Sequence, residues 1–179
     1  MDKKLYRILG IDDGRFSRNN DSLAPLIGLI YRADGLIEKI YRKDILVDGT
    51  DVSDSIVEII RDYGGTIASV ISEGITFAGF NIPNIDYIYN KAGVPFISYL
   101  NRKPSISSME KAMRKHSLYQ NIELLKKLDL KETNLNGKTV WLNFCGISLQ
   151  EALSILSKAT ITGRRIEPVR LADMIGRII

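Results

Sequence analysis

The segment that decides the fold is Leu5-Tyr6-Arg7-Ile8-Leu9-Gly10-Ile11-Asp12-Asp13-Gly14. Its apolar part predicts a β-strand, and the Asp-Gly turn sequence ends that strand. Asp12 and Asp13 therefore follow directly after an apolar strand. They are the first candidates for a functional site.

Two further strands are predicted after this segment. The apolar run Leu26–Tyr31 leads through Arg32-Ala33-Asp34-Gly35 into a second run from Leu36 to Val47. Asp-Gly between two extended stretches predicts a hairpin, because both turn positions tolerate positive φ. Alternation breaks near Lys43-Asp44, where we expect an irregularity in the strand. The chain should therefore begin with a three-stranded antiparallel meander.

The hydrophobic period then changes. Ile56–Tyr63 has helical spacing and is followed by Gly64-Gly65. A short strand at Thr66–Ile71, a helix at Ile82–Lys91 and a strand at Gly93–Tyr99 come next. Strands separated by helices in this way imply right-handed parallel crossovers. The sequence therefore predicts a mixed sheet flanked by helices.

The C-terminal third predicts an extension of this sheet. Asn136-Gly137 indicates a second hairpin, and Ser148–Glu151 is a capping box that begins a helix. Pro168 suits the first turn of a final helix. The apolar residues of that helix share one face, namely Leu171, Ala172, Ile175 and Ile178. With 179 residues and no repeat or linker, we expect a single domain over residues 1–179.

Composition narrows the classes of protein. The chain is 45% hydrophobic and 26% charged, which is typical of a globular protein, and no apolar run predicts a membrane span. Met1-Asp2-Lys3-Lys4 does not resemble a signal peptide, and a single cysteine suits a reducing cytoplasm. The net charge of +4 permits DNA or RNA as a partner without requiring one.

Two residues that often carry chemistry are predicted to be structural. Cys145 lies between Phe144 and Gly146, which indicates a buried, inert thiol. His116 is the only histidine and is predicted on the apolar face of a helix with Met113. Histidine-centred triads and zinc sites are therefore excluded.

Carboxylates at strand ends remain as candidates. Glu73 ends the strand after the first helix, and Asp51 precedes that helix. If the first strand and this later strand are parallel neighbours, Asp12 and Glu73 face one crevice, and the helix N-terminus brings Asp51 to the same edge. Grouped carboxylates favour Mg²⁺ or Mn²⁺, which activate water and clamp a phosphodiester.

Each of these carboxylates also fits a simpler role. Asp51 suits an N-cap, with Asp54 in the first turn of the helix. Asp48 is a rival of Asp51 for the second ligand position. Asp13-Gly14 fits a simple turn, and Glu73-Gly74 a simple strand end.

Several motifs together resemble an uncharacterised, mainly archaeal protein family that is regarded as a relative of endonuclease V. They are Gly10–Gly14, Asp48–Asp51, Glu73–Asn81, Gly93–Pro95 and Pro168–Ala172. The resemblance runs through most of the chain. It implies an α/β, ribonuclease H-like (endonuclease V-like) fold: a mixed sheet of three antiparallel strands and then parallel crossovers, with a C-terminal hairpin and helix extension.

The resemblance also implies a function. Endonuclease V is a magnesium-dependent enzyme that cuts nucleic acid near inosine, and its acidic ligands correspond here to Asp12, Asp51 and Glu73. A basic residue after its Gly-Val-Pro strand corresponds to Arg102 or Lys103. The chain departs from that pattern at Glu73, which replaces an aspartate, and at Ile75–Asn81, which replaces histidines. An aromatic wedge is missing as well, so inosine specificity is not carried over.

The sequence therefore predicts a divalent-metal-dependent nuclease. Asp12, Asp51 and Glu73 are the expected catalytic ligands of Mg²⁺ or Mn²⁺, with Asp13 as a supporting neighbour. Arg102 and Lys103 either bind nucleic-acid phosphates or belong to a solvated basic loop before Pro104. The alternative is a catalytically degenerate nucleic-acid-binding or complex-forming module of the same fold. A small-molecule phosphohydrolase is a third option. Arg164-Arg165 is a poorer candidate, because nothing in the sequence places it near the site.

Overall fold

The computed structural model describes residues 6–163 and 165–179. The strands in these ranges are β1 (Arg7–Asp13), β2 (Leu23–Arg32), β3 (Ile37–Leu46), β4 (Ser69–Glu73), β5 (Phe96–Leu100), β6 (Lys131–Leu135), β7 (Lys138–Cys145), β8 (Thr160–Thr162) and β9 (Arg165–Ile166). The helices are α1 (Val52–Tyr63), α2 (Ile85–Ala92), α3 (Ile106–Lys115), α4 (Tyr119–Lys126), α5 (Leu149–Ala159) and α6 (Glu167–Gly176). The predicted beginning of the first strand at Leu5, and Arg164, lie outside the described residues.

A mixed sheet organises the described part of the chain, with the strand order β3-β2-β1-β4-β5-β7-β6. The pairs β1/β2 and β2/β3 are antiparallel, whereas β4 pairs in parallel with both β1 and β5. The predicted meander, parallel crossovers and second hairpin are confirmed. Ile11 and Ser72 are the last paired residues of β1 and β4. Asp12 and Glu73 each follow by one position on neighbouring strands.

Helices cover the two faces of the sheet. On one face, Leu9 and Ile11 of β1 form an apolar core with Ile56 of α1 and Ile88 of α2. On the other face, Ile8 packs with residues of α5 and α6. Burial of each such aliphatic side chain contributes roughly 1.5–3 kcal/mol, which fixes the helices to their own faces. Because side chains alternate along a strand, Gly10 and Asp12 point towards α6, and Ile11 and Asp13 towards α1.

Glycines allow α6 to approach β1 very closely. A Cβ atom on Gly10 would overlap with the backbone of Pro168 in the first turn of α6. At the other end of the helix, a Cβ on Gly176 would lie 2.9 Å from the Cα of Gly14, and the Arg15 N–H donates to the Gly176 carbonyl. The helix backbone therefore rests directly on the strand that carries Asp12.

A third group of helices forms its own core. Met113 of α3 and Ile122 and Leu125 of α4 pack against Ile75 and Ile82, which flank the loop after β4. This group therefore supports the loop that follows Glu73. Among the described helices, none combines the length and apolar character that crossing a bilayer requires.

Three local predictions are wrong. The irregularity expected near Lys43-Asp44 lies instead at Ile30/Tyr31, next to the hairpin turn, where the pairing with β3 has to adjust. His116 is exposed, because α3 ends there and Ser117 takes a positive φ of 57° that turns the chain away. Ile178 is 82% exposed because it lies beyond the end of α6.

Cys145 is half-buried rather than buried. Burial, together with the neighbouring Asp86 carboxylate, raises the pKa of Cys145 to about 11. A thiol with this pKa is protonated near neutral pH and is a weak nucleophile.

Candidate metal and nucleic-acid site

A cleft of about 800 Å³ opens where the carboxyl ends of β1 and β4 meet α6. Carboxylates and arginines dominate its lining. The carboxylates are Asp12, Glu73 and Asp173, and the arginines are Arg102, Arg165, Arg170 and Arg177. The expectation that Asp12 and Glu73 share one crevice therefore agrees with the structure.

Asp12 lies at the centre of this cleft. One of its Oδ atoms accepts the N–H of Asp13 at 3.0 Å. Burial, with the charges of Asp13, Asp173 and Glu73 as further causes, raises the pKa of Asp12 to about 7. Like charges in a half-buried position destabilise the ionised form, and a bound cation would relieve that cost.

Glu73 is held by two donors from the neighbouring strand region. The Tyr99 hydroxyl donates to one Oε atom at 3.0 Å, and the Asn101 side-chain amide donates to the other at 2.7 Å. Tyr99 is buried, and its burial, together with the charge of Glu73, raises the pKa of Tyr99 far above its ordinary value. These two hydrogen bonds fix the direction in which the Glu73 carboxylate enters the cleft.

The third carboxylate, Asp173, is not among the residues predicted from the sequence. It lies on α6, four residues after Val169 and three before Gly176, both of which are buried. Residues at these spacings share one face of a helix, so an acidic residue in the buried stripe was the signal that could have identified it. One of its oxygens accepts the Arg177 guanidinium at 2.8 Å.

The structure does not bring Asp51 into this group. Its carboxylate accepts the Leu46 N–H at 3.1 Å and the Asn81 side-chain amide at 2.7 Å, and it does not line the cleft. The prediction that the α1 N-terminus shares an edge with Asp12 fails because α1 packs on the opposite face from α6. Asp51 stabilises the turn between β3 and α1.

Asp48, the rival of Asp51, is also a structural residue. It takes a left-handed φ of 55°, and its carboxylate accepts both Arg18 and the Phe80 N–H. The Arg18 guanidinium in turn stacks on the Phe80 ring at 4.3 Å from its centroid. Asp48 therefore holds the loop after β4 and does not face the cleft.

Asp13 has a similar role on the α1 face. Its carboxylate accepts the Ala78 N–H, and burial raises the pKa of Asp13. The loop at residues 75–81 is thus tied to β1 directly behind Asp12. Asp13 supports the site from the other side of the sheet.

The basic residues differ from the sequence-based expectation. Arg102 lines the cleft, whereas Lys103 is exposed and lies outside its lining. Arg165 also lines the cleft, contrary to the expectation, because β9 leads directly into α6 and carries the residue there. That geometry depends on the pairing of β8 with β9, which no local sequence pattern indicated.

The donor set of the cleft fits Mg²⁺ or Mn²⁺. In the ranges 6–163 and 165–179, no three histidine, cysteine or acidic side chains are close enough together to hold an ion alone. Mg²⁺ usually takes only one or two carboxylates, with water and substrate phosphates completing its shell. Asp12 with Glu73 or Asp173 meets this need, and the cleft lining offers no thiolate or imidazole ligand for zinc.

Comparisons with known proteins show which family this chain resembles. A family model described as endonuclease dU matches residues 4–179. A UPF0215 protein of Thermoplasma volcanium is 34% identical over 180 residues, which are 100% of this chain and 92% of that protein.

Solved structures confirm the predicted fold. A protein of unknown function from Archaeoglobus fulgidus has a TM-score of 0.84 and 24% identity, with 96% of each chain covered. Endonuclease V of Ciona intestinalis, in complex with DNA that contains an inosine followed by a ribo-adenosine, has a TM-score of 0.64 and 11% identity. That match covers 97% of this chain and 85% of the other. At these identities the likeness concerns the fold alone.

Proposed function

Because the chain belongs to the endonuclease dU family, we propose that it is a divalent-metal-dependent endonuclease. The reaction is the hydrolysis of phosphodiester bonds in nucleic acid. Its site is the cleft of Asp12, Glu73 and Asp173. Mg²⁺ or Mn²⁺ is the cofactor.

One observation carries this proposal: three carboxylates and four arginines line a single cleft at the carboxyl ends of β1 and β4. The carboxylates suit a hard cation, and the arginines suit phosphate oxygens. A nuclease that uses metal ions needs both kinds of group at one place. In the proposed set of metal ligands Asp173 takes the place of Asp51, because the Asp51 carboxylate already accepts hydrogen bonds from Leu46 and Asn81.

The residues of the cleft have distinct tasks in this mechanism. Asp12 would hold the cation together with either Glu73, on the neighbouring strand, or Asp173, on α6. A bound Mg²⁺ or Mn²⁺ supplies an activated water and a polarised phosphate. Tyr99 and Asn101 keep Glu73 aimed into the cleft, and Asp173 would have to give up its ion pair with Arg177 in order to hold the cation.

Arg102 is proposed to bind the substrate. Arg102 is exposed at the cleft, two residues after the end of β5, and it makes no ion pair within the described residues. A planar guanidinium binds two phosphate oxygens at once and fixes the position of a strand without reading its sequence. Lys103 contributes at most to the surrounding positive potential.

Four substrates test the proposal. They are duplex DNA with one deoxyuridine, which the family description names, duplex DNA with one inosine, unmodified duplex DNA, and single-stranded RNA. Cleavage of at least one of them should need Mg²⁺ or Mn²⁺ and stop in EDTA. Asp12→Asn and Asp173→Asn should each lower the rate by at least about 100-fold, whereas Asp51→Asn should retain it. Unimpaired cleavage by Asp12→Asn would contradict the proposal.

The second candidate is a nucleic-acid-binding module without catalysis. The commitments of Glu73 to Tyr99 and Asn101, and of Asp173 to Arg177, favour it, because a cation must compete for these oxygens. Calorimetric titration with Mn²⁺ separates the two candidates. A nuclease binds the ion and loses it in Asp12→Asn, whereas a degenerate module binds nucleic acid but shows no ion binding.

A further inference from the structure

We infer that Arg165, presented by the β8–β9 hairpin, is a second ligand for the phosphate backbone of a nucleic-acid strand in this cleft. The inference rests on the proposed function and deepens it, since it names the surface that holds the strand. Arg165 and Arg102 reach the cleft from different parts of the fold. Arg102 follows β5, and Arg165 precedes α6.

The charges of the cleft divide into two groups. Arg170 is paired with Glu167 at 2.6 Å, and Arg177 with Asp173 at 2.8 Å. Arg102 and Arg165 make no ion pair of 4 Å or less with any residue that the structure describes. Their charges therefore remain available for an anionic ligand, even though carboxylates line the same cleft.

The backbone of Arg165 is fixed although its side chain is exposed. Arg165 pairs with Thr162 across the hairpin, and the next residue, Ile166, is fully buried in the core beneath α6. A purely stabilising arginine at such a position would be expected to reach one of the nearby carboxylates. The fixed backbone lowers the ordering cost of binding, because only the Arg165 side chain has to be immobilised by a ligand.

A phosphate backbone fits this arrangement better than an isolated phosphate. Arg102 and Arg165 line the same cleft as the carboxylates from separate elements, and this cleft of about 800 Å³ is open to solvent. A strand carries a regular series of phosphates, so that one phosphate can meet the cation while its neighbours meet the two arginines. A mononucleotide offers a single phosphate position.

Salt-dependent binding tests the role of Arg165. The probe is a fluorescein-labelled 24-mer DNA duplex with one deoxyuridine, measured by anisotropy in Ca²⁺ between 50 and 200 mM salt. The slope of log K against log salt is negative, and the loss of one phosphate contact decreases its magnitude by about 0.9. We expect this decrease in Arg165→Ala and a recovered slope in Arg165→Lys, which keeps the charge.

Arg61→Ala is the matched control, because Arg61 is exposed in the last turn of α1 on the opposite face of the sheet. Its slope should equal that of the wild type. An unchanged slope in Arg165→Ala, or an equal decrease in Arg61→Ala, would overturn the inference. The inference would also be overturned if Arg165→Ala weakened the binding of deoxyuridine monophosphate as much as that of the DNA duplex, because Arg165 would then bind an isolated phosphate. If the duplex is not cleaved in Mg²⁺ or Mn²⁺, that result contradicts the proposed endonuclease activity but not the proposed phosphate contact of Arg165.

Discussion

Asp12 combines partial burial with carboxylate neighbours, and both make its ionised form costly. Its pKa of about 7 in the folded protein exceeds the ordinary value of 3.8. The folded state therefore holds this proton more tightly than the unfolded state does. The resulting stabilisation is complete below about pH 4 and is lost as the pH rises through 7.

We expect the metal-free protein to lose up to about 4 kcal/mol of unfolding free energy from this group between pH 4 and pH 8. Asp12→Asn should lack this decrease and should be more stable than the wild type at pH 8 in EDTA. Urea denaturation at several pH values measures both. An equally steep decrease in Asp12→Asn would assign the pH dependence to other groups.

Several single residues were identified from the sequence because their signal is local. The two neighbouring residues Asp34-Gly35 are enough to predict a turn, and the structure has the hairpin of β2 and β3 at that place. Asp12 and Glu73 could be placed together because parallel neighbouring strands end at one edge, and both line the cleft. Asp173 and Arg165 could not be placed in this way, because their positions depend on how α6 lies across the sheet.

At the scale of elements, the segment between β3 and α1 shows how a helix N-terminus can mislead. The pattern before α1 is compatible with a ligand, with an N-cap and with a turn. The observed Asp51 carboxylate makes no cap to its own helix and instead accepts donors from Leu46 and Asn81. Which face a crossover helix covers decides where its first residue lies, and short motifs do not carry this information.

Asp51→Ala tests this structural role. Removal of the acceptor leaves the Leu46 N–H and the Asn81 amide without their partner, which should cost about 1–3 kcal/mol of unfolding free energy. Mn²⁺ affinity of the folded variant should equal that of the wild type in calorimetry. A folded Asp51→Ala variant that no longer binds Mn²⁺ would return Asp51 to the set of ligands.

At the scale of the whole molecule, the contact between β1 and α6 joins the two halves of the site. Asp12 is on β1, and Asp173 is on α6. The two backbones are in contact at two points, where Gly10 meets Pro168 and where Gly176 meets Gly14. A side chain at Gly10 would push the helix outward. The distance between the two carboxylates therefore depends on a contact that contains no carboxylate.

Gly10→Ala should lower the unfolding free energy by about 1–3 kcal/mol and also weaken Mn²⁺ binding, because α6 has to move. Gly28→Ala is the matched control on β2. Its added Cβ would meet the flexible end of Ile59 of α1 at 3.1 Å, and it does not touch α6. We expect Mn²⁺ affinity to be retained in Gly28→Ala. If Gly10→Ala and Gly28→Ala both bound Mn²⁺ as tightly as the wild type, α6 would contribute no ligand.

The close contact of α6 with β1 has a consequence for folding during synthesis on the ribosome. Asp12 and Asp173 are 161 positions apart, so the ribosome completes every strand of the main sheet before it adds Asp173. Closing a loop of this length has a large entropic cost, which only the completed core can offset. A nascent or half-folded chain therefore exposes Asp12 without its helical partner. We expect metal loading to follow translation, with the cleft formed last.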